Sequence, residues 1–387
     1  MIRKICVVTG SRADYGLLRC LLAELRKQRQ FCLQLVATGS HFSSRHGNTW
    51  KEIVGDGFHI DHKVKIGIAN DTAEGVAQAC ARALTKLSRI YRQIRPDAVI
   101  LLGDRYEALA AANAALFCRL PIIHLHGGET SEGAIDEAIR HAITKMSHIH
   151  FVSTPDYRRR VIQLGEDPRK VFVVGALGLD EIRKFTPLPK KELEKRLHAK
   201  FSKKNLLVTF HPPTLSPGRG QKQMRELLAA LGKQKDTTLI FTMPNADMES
   251  LVLFRMVQRF VRGKPRAYAF RSLGRQNYLS CLNYVDVVVG NSSSGILEAP
   301  SLRCPTVNIG NRQQGRLRAS SVIDCEPRRG EIARAIRNAS SLNFRIKVGS
   351  AKNPYDQGGA AYKIIKILAK KNTTLSLNKK FHDLYEK

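Results

Sequence analysis

Short runs of β-branched and other apolar residues recur along the chain and alternate with stretches long enough for helices. "KICVVTG", "FCLQLVATG", "DAVILLGD", "PIIHLHGG", "IHFVST" and "VFVVGA" in the first half have the unbroken apolar character of parallel strands buried on both faces, as do "LLVTFHP", "TLIFTMPNAD", "VDVVVGN" and "PTVNIG" in the second. Between them lie amphipathic segments such as "DYGLLRCLLAELRKQ" and "TAEGVAQACARALTKLSRIYRQIRP". This alternation predicts an α/β fold with a doubly wound parallel sheet in each half. Around "RKFTPLPKKELEKRLHAKFSKKN" the strand signals stop and Pro and charge take over. A domain boundary is expected there, with one domain at 1–183 and a second at 204–352.

Polar residues gather where these strands end, which is where open α/β sheets bind ligands. "TGSRADYG", "GDRYE", "HLHGGETSEGAIDEAIRH", "HPPT", "GNSSSG" and "NRQQGRLR" all stand at such positions. Together they point to a polar cleft between two domains. In "GNSSSGILEAP" a strand gives way to a Gly/Ser turn and then to residues that read as a helix. Unpaired N–H groups and the dipole at a helix start attract anions, and serine hydroxyls donate to phosphate oxygens. Taken alone, the stretch fits an ordinary Asn/Ser cap just as well.

Length and composition narrow the class. A chain of 387 residues exceeds one ordinary core, and its 43% hydrophobic content contains no apolar run long enough to span a membrane. The opening "MIRKICVVTG" reads as a first strand rather than a signal peptide, so a cytoplasmic location is expected. Eight scattered cysteines, the nearest two being Cys20 and Cys32, form neither a zinc knuckle nor a redox pair, and reduced thiols are expected. The charge is unusual. Sixty-four Lys and Arg against 33 Asp and Glu leave +31, which would suit a nucleic-acid partner. However, the basic residues are dispersed ("RRRVIQLGEDPRK", "PKKELEKRLHAK") and no aromatic RNA-binding motif or finger spacing accompanies them. A basic solvated surface that helps capture anionic substrates is the better reading.

As an ordered set, "GSRADYG", "LGDRYEA", "HLHGGETSEGAIDEAIRHAITKMSH", "RVIQLGE", "GNSSSGILEAPSL", "NIGNRQQGR" and "NPY" resemble the bacterial hydrolysing UDP-N-acetylglucosamine 2-epimerases of sialic-acid-type sugar synthesis. The resemblance runs over residues 1 to 370. It implies a GT-B-like fold of two Rossmann-like domains with the active site in the cleft between them. The first domain would handle the sugar and the second would bind UDP, and a helix within 353–371 would return toward the first. It also implies a homo-oligomer, a dimer or a tetramer, and neither a nucleic-acid nor a membrane partner.

The implied reaction removes the C2 proton of UDP-N-acetylglucosamine as UDP leaves C1, giving a glycal. Water then adds at C1 and a proton at the opposite face of C2, releasing N-acetylmannosamine. Acid and base groups are needed, but no metal and no redox cofactor. By resemblance, Ser292 and Ser293 hold the diphosphate and Glu298 accepts hydrogen bonds from the ribose hydroxyls. Arg12 and His211 serve near the leaving group, and Arg312 contacts substrate or phosphate. For proton transfer the candidates are Asp104, His126, Glu129 and Asp136. Arg105 is expected to hold Asp104 ionised and to contact substrate. Asp104 could also cap the helix behind it, and Asp136 could be a first-turn cap able to pair with Arg140. Animal members carry a glutamate before the Gly-Gly pair where this chain has His126, so the division of labour among these residues stays open. The chain lacks the length for the sugar-kinase domain of animal members, so no ATP-dependent second activity is expected.

The same motifs would serve a relative acting on UDP-N,N'-diacetylbacillosamine in legionaminic acid synthesis, with the "FSSRHGN" loop, 42–48, as a candidate wall facing the altered sugar positions. A non-hydrolysing epimerase fits the "GDRYE" and "HGGETSEGAIDE" stretches less well. A GT-B glycosyltransferase would need an acceptor. A basic nucleic-acid-binding protein is the remote alternative, and it gives no reason for carboxylates beside a phosphate site.

Overall fold

The computed structural model describes residues 2–67, 72–132, 135–212, 218–243, 250–370 and 375–384, apart from the side chain of Arg45. Pro213 and Thr214 of "HPPT", Gly133 and Ala134 ahead of Asp136, and residues 244–247 of "TLIFTMPNAD" lie outside the described residues. The chain divides into two compact units. The first comprises Met1–Glu129, Asp136–Asp180 and Gln357–Lys387, and the second Thr130–Ile135 and Glu181–Asp356.

The first unit holds a parallel sheet of seven strands: β1 (Arg3–Thr9), β2 (Phe31–Ala37), β3 (His62–Lys63), β4 (Ala98–Leu102), β5 (Ile122–Leu125), β6 (Ile149–Val152) and β7 (Val171–Val173). Their spatial order is β3-β2-β1-β4-β5-β6-β7. Successive side chains of a strand point to opposite faces, and here both faces are covered. Along β1, Ile5 and Val7 enter one core while Cys6 and Val8 enter the other; along β4, Ala98, Ile100 and Leu102 alternate in the same way with Val99 and Leu101. One face is covered by the helices Arg12–Lys27 and Ala360–Leu368, the former through Leu18, Leu21, Leu22 and Leu25, one stripe of a helical repeat. The helices Ala73–Ile94 and Tyr106–Phe117 cover the other, largely through alanines.

The second unit holds six parallel strands: β8 (Lys204–Thr209), β9 (Thr237–Thr242), β10 (Ala267–Phe270), β11 (Val287–Gly290), β12 (Thr306–Ile309) and β13 (Val322–Cys325). They are ordered β10-β9-β8-β11-β12-β13. β3, β10 and β13 have no counterpart in the apolar patterning of the sequence. All three are edge strands without a continuous buried run, and every residue of β10 is half-exposed. The charged stretch near residue 190 contains a helix, Lys190–Leu197, anchored by buried Leu193 and Leu197, and it belongs to the second unit.

The order of strands reverses between β1 and β4 in the first sheet and between β8 and β11 in the second. Loops leaving adjacent strands at such a point diverge to opposite faces and open a crevice at the carboxyl ends. The eight cysteines form no disulfide; Cys6, Cys281 and Cys304 are buried and Cys32 is exposed. Among the described residues no helix is long and apolar enough to cross a membrane.

The helix Ala360–Leu368 completes the first unit and is tied at both ends. Gly359 takes a positive φ of 66° at its start, and the two carboxylate oxygens of Asp180 accept from the N–H groups of Ala360 and Ala361 at 2.7 and 2.6 Å. At its far end Arg3 donates to the Leu368 carbonyl at 2.8 Å. A carboxylate that satisfies two otherwise orphaned N–H groups favours the helix both by hydrogen bonding and through its dipole. Asp180→Ala is therefore expected to lower stability by about 1–2 kcal/mol in urea unfolding, with Asp180→Asn intermediate.

Candidate functional site

At the end of β4, Gly103 turns with a φ of 72° and Asp104 follows, with 22% of its side chain exposed. Its carboxylate is bonded by Arg140, whose side chain is 1% exposed. Arg140 also donates to the Glu129 carbonyl at 2.7 Å and to Glu137 at 3.3 Å. One buried guanidinium thus joins the residue after β4 to the loop after β5. A buried cation of this kind keeps a carboxylate ionised and fixes its direction. Arg105, expected in that role, grips Glu107 with two N–H groups, at 3.2 and 3.4 Å, because the turn into the helix Tyr106–Phe117 carries it toward the first turn. Arg105 occupies the cap position of that helix without a side-chain cap bond, so capping does not account for Asp104.

Two buried histidines steady this region. His124 contacts the Gly103 carbonyl through Nε2 at 2.8 Å and Thr144 through Nδ1 at 3.1 Å. Since a carbonyl only accepts, Nε2 carries the hydrogen and Nδ1 accepts from the threonine hydroxyl. Burial pushes its pKa down to about 3. His41 lies between Thr9 and Thr49 at 3.0 and 2.9 Å, and burial followed by the charge of Arg105 lowers it to about 4. Both stay neutral at physiological pH. Beside them at the β1 end, Asp14 accepts from the Gly10 N–H at 3.1 Å, and burial raises its pKa.

His126 follows β5 with a positive φ of 64°, unusual for a residue with a side chain, and is 8% exposed. Its Nε2 accepts from the Leu177 N–H at 3.3 Å, so Nδ1 carries the hydrogen and donates to Glu129 at 2.8 Å. Glu129, 3% exposed, accepts a further bond from Ser153 at 3.0 Å. The two are therefore engaged with each other below the surface, whereas Asp104 and Asp136, the first residue of the helix Asp136–Met146, are half-exposed. Arg12, after β1, pairs with Glu52 at 2.9 Å and keeps 28% of its side chain exposed.

In the second unit the switch point is closed by Asn291. Its side-chain amide accepts from the His211 N–H at 2.6 Å and donates to the His211 carbonyl at 2.8 Å, tying the end of β8 to the end of β11. Its own carbonyl accepts from Gln313 at 2.9 Å and Arg312 at 3.3 Å, which draws in the loop after β12. Gly290, at a φ of 140°, lies against the Thr209 carbonyl, where a Cβ would stand 1.9 Å from the oxygen. Only glycine fits that approach. His211, Ser292 and Arg312 are thereby brought to one strand-end cluster. The helix expected after the serines is a single turn, Ser294–Leu297, followed by a 3₁₀ turn, Ala299–Leu302. Its first N–H groups are already used: Gly295 bonds to the Ser292 carbonyl, and Ile296 and Leu297 to that of Ser293. A helix dipole therefore contributes little, and anion binding would rest on the hydroxyls of Ser292 and Ser293. Ser294 faces Glu298 instead, donating to it at 2.5 Å.

Arg140, Glu107, Asp14 and Asn291 were not singled out by sequence reasoning as site-building residues. "GDRYE" and "GNSSSG" already contain Glu107 and Asn291, but a partner across the sheet cannot be read from local spacing.

Two doubly wound parallel sheets, one in each unit, define a GT-B-like α/β protein. Residues 23–369 match the family model described as UDP-N-acetylglucosamine 2-epimerase. The chain belongs to the UDP-N-acetylglucosamine 2-epimerase family. A hydrolysing GDP/UDP-N,N'-diacetylbacillosamine 2-epimerase of Campylobacter jejuni is 41% identical over 384 residues, 99% of each chain. Polysialic acid biosynthesis protein P7 of Escherichia coli is 39% identical over 389 residues, covering 100% of this chain and 98% of that one. The crystal structure of a UDP-GlcNAc 2-epimerase from Neisseria meningitidis, bound to UDP-GlcNAc, is similar with a TM-score of 0.81 at 18% identity, covering 94% of this chain and 99% of that one.

The neutral histidines predict a pH effect. Folded pKa values of about 4 and about 3 for His41 and His124 lie below the unfolded value near 6.5, so the native state binds fewer protons than the unfolded chain between these limits. Their contribution is complete above about pH 6.5 and is lost as pH falls toward the folded values, on the order of 1 kcal/mol per pH unit for each. Urea midpoints measured from pH 7 to 4 should fall, and fall less steeply in a folded His124→Gln variant.

Proposed function

We propose that this protein is a hydrolysing UDP-sugar 2-epimerase, converting UDP-N-acetylglucosamine and water to N-acetylmannosamine and UDP. The observation that carries this reading is Asp104: a half-exposed carboxylate at a sheet's switch point, paired with the buried Arg140. In this reading the first unit acts on the sugar. A carboxylate takes the proton from C2, the C–H electron pair becomes the C1=C2 bond, and the C1–O bond breaks as UDP departs. Water then adds its oxygen to C1, and a proton is delivered to the other face of C2.

Asp104 and Asp136 are the two groups we assign to proton transfer, since both reach the surface. The buried His126–Glu129 pair orients the loop after β5, which leads on to Asp136. This gives His126 a supporting part where animal members place a glutamate. In the second unit, Ser292, Ser293 and His211, with Arg312 beside them, hold the diphosphate, and Glu298 holds the ribose. Arg12 and Arg105 supply positive charge in the first unit. The protein's net charge of +31 raises the local concentration of the anionic nucleotide sugar.

The relative from Campylobacter, at 41% identity, favours a second reading with the same chemistry on UDP-N,N'-diacetylbacillosamine. Identifying the sugar released when purified protein is given each nucleotide sugar in turn, and comparing kcat/KM, decides between them.

Under either reading, product formed in D₂O should carry one deuterium at C2, and ¹⁸O from labelled water should enter at C1. Asp104→Asn should lower kcat by about 10²- to 10⁴-fold while leaving UDP affinity near wild type. Retention of the original hydrogen at C2, or full activity in Asp104→Asn, would overturn the assignment.

A further inference from the structure

One half-buried charge in the second unit has no part in the proposed reaction. Arg275, the first residue of the helix Arg275–Tyr284, forms ion pairs with both Glu181 and Glu298, the latter at 2.9 Å from Nη1 to Oε1. The other oxygen of Glu298 accepts from the Ser294 hydroxyl at 2.5 Å. Ser294 in turn accepts from the hydroxyl of Tyr278, 2.6 Å away and one turn along the same helix. Burial and the charge of Glu298 raise the pKa of the Tyr278 phenol, so it remains protonated and able to donate. Because Tyr278 fills an acceptor position on Ser294, the serine's own hydrogen is directed to Glu298.

An ionised carboxylate has about two acceptor positions on each oxygen. Here the protein occupies one on Oε1 and one on Oε2, leaving one free direction per oxygen on a side chain that is 11% exposed. A pair of adjacent hydroxyls, each donating to a different oxygen, matches that remainder. A ribose offers such a vicinal diol; a 2′-deoxyribose offers a single hydroxyl.

We infer that Arg275 and Tyr278 are positioning residues which hold Glu298 as a two-oxygen acceptor, and that they make the second unit selective for ribonucleotides over 2′-deoxyribonucleotides. The inference rests on the proposal that this unit binds a uridine nucleotide through Glu298. Arg275 cannot be replaced by lysine without loss, because a planar fork serves two carboxylates at once whereas an ammonium is a single point charge. Without Arg275, Glu181 and Glu298 would be neighbouring carboxylates lacking their shared cation, and Glu298 would keep only Ser294 to fix its direction.

The test compares binding of UDP and 2′-deoxy-UDP by calorimetry in the full-length protein and its variants, with melting curves to confirm folding. Wild type should prefer UDP by about 10- to 100-fold, the value of one hydrogen bond to a charged acceptor. Arg275→Met should reduce the preference to less than about threefold and weaken UDP about tenfold, with Arg275→Lys intermediate. Tyr278→Phe, which changes no charge, should erode the preference in the same direction. Should Arg275→Met fail to fold, Arg275→Lys and Tyr278→Phe carry the test. If Glu298→Gln abolishes the preference while the folded Arg275 and Tyr278 variants keep it at the wild-type value, the positioning role is refuted and the nucleotide reading survives. Failure of the wild-type protein to bind UDP would remove both.

Discussion

Burial of both faces of a parallel sheet is the constraint on which the rest of this structure depends. Once helices cover each face, the segments buried between them, Ile5–Val8 of β1 and Ala98–Leu102 of β4, carry only apolar residues, and exposed chemistry is left to the strand ends. Reversal of strand order at β1/β4 and at β8/β11 then selects which ends lie open. Asp104 and Arg12 stand at the first of these points, and His211 and Ser292 at the second. Their positions follow from the sheet before any specific interaction is considered.

A second pattern is that each polar group of the site is aimed by one fixed partner. Arg140 holds Asp104, Arg275 holds Glu298, His126 holds Glu129 and Asn291 holds the backbone of His211. Removing an ion from water is costly, and such pairs add little net stability compared with apolar packing. What they provide is direction: a carboxylate with one fixed partner presents its remaining acceptor positions to one side. The same logic explains why His41 and His124 are kept neutral. Within a low-dielectric strand end they act as shaped donor and acceptor pairs for threonine hydroxyls and a carbonyl.

This division also explains what could be read from the sequence. Most strands were legible because burial on two sides leaves an unbroken apolar run, whereas β3, β10 and β13 hold no fully buried residue and so lack such a run. Polar residues within two positions of a glycine at a strand end, such as Asp104, His126 and Ser292, were legible as strand-end residues because a polar side chain there has no packing purpose. Arg140 and Arg275 were not. Each lies in a helical stretch of a very basic chain, and what sets them apart is a carboxylate brought near only by the fold, 36 residues away for Arg140 and 23 for Arg275. The serine turn shows the opposite error. Its composition suggested a full helix, but Pro300 and the tight approach to Thr306 limit the α-helical turn to Ser294–Leu297.

The way the last helix closes the first unit bears on how the chain is made. Asp180 and Arg3 wait for Ala360, Ala361 and Leu368, partners separated from them by up to 365 residues. A ribosome releases the whole of Glu181–Asp356 before those partners exist, so the inserted unit has every residue from 181 onward in hand while the N-terminal one is still missing a wall of its core. Domains usually complete themselves in the order of synthesis. Here the order is inverted, and the nascent first unit must remain soluble with the side of the helix Arg12–Lys27 that meets Ala360–Leu368 uncovered until that last helix has been made. A chain truncated shortly before residue 360 would therefore leave the earlier-made unit, rather than the later-made one, exposed to chaperones and proteases.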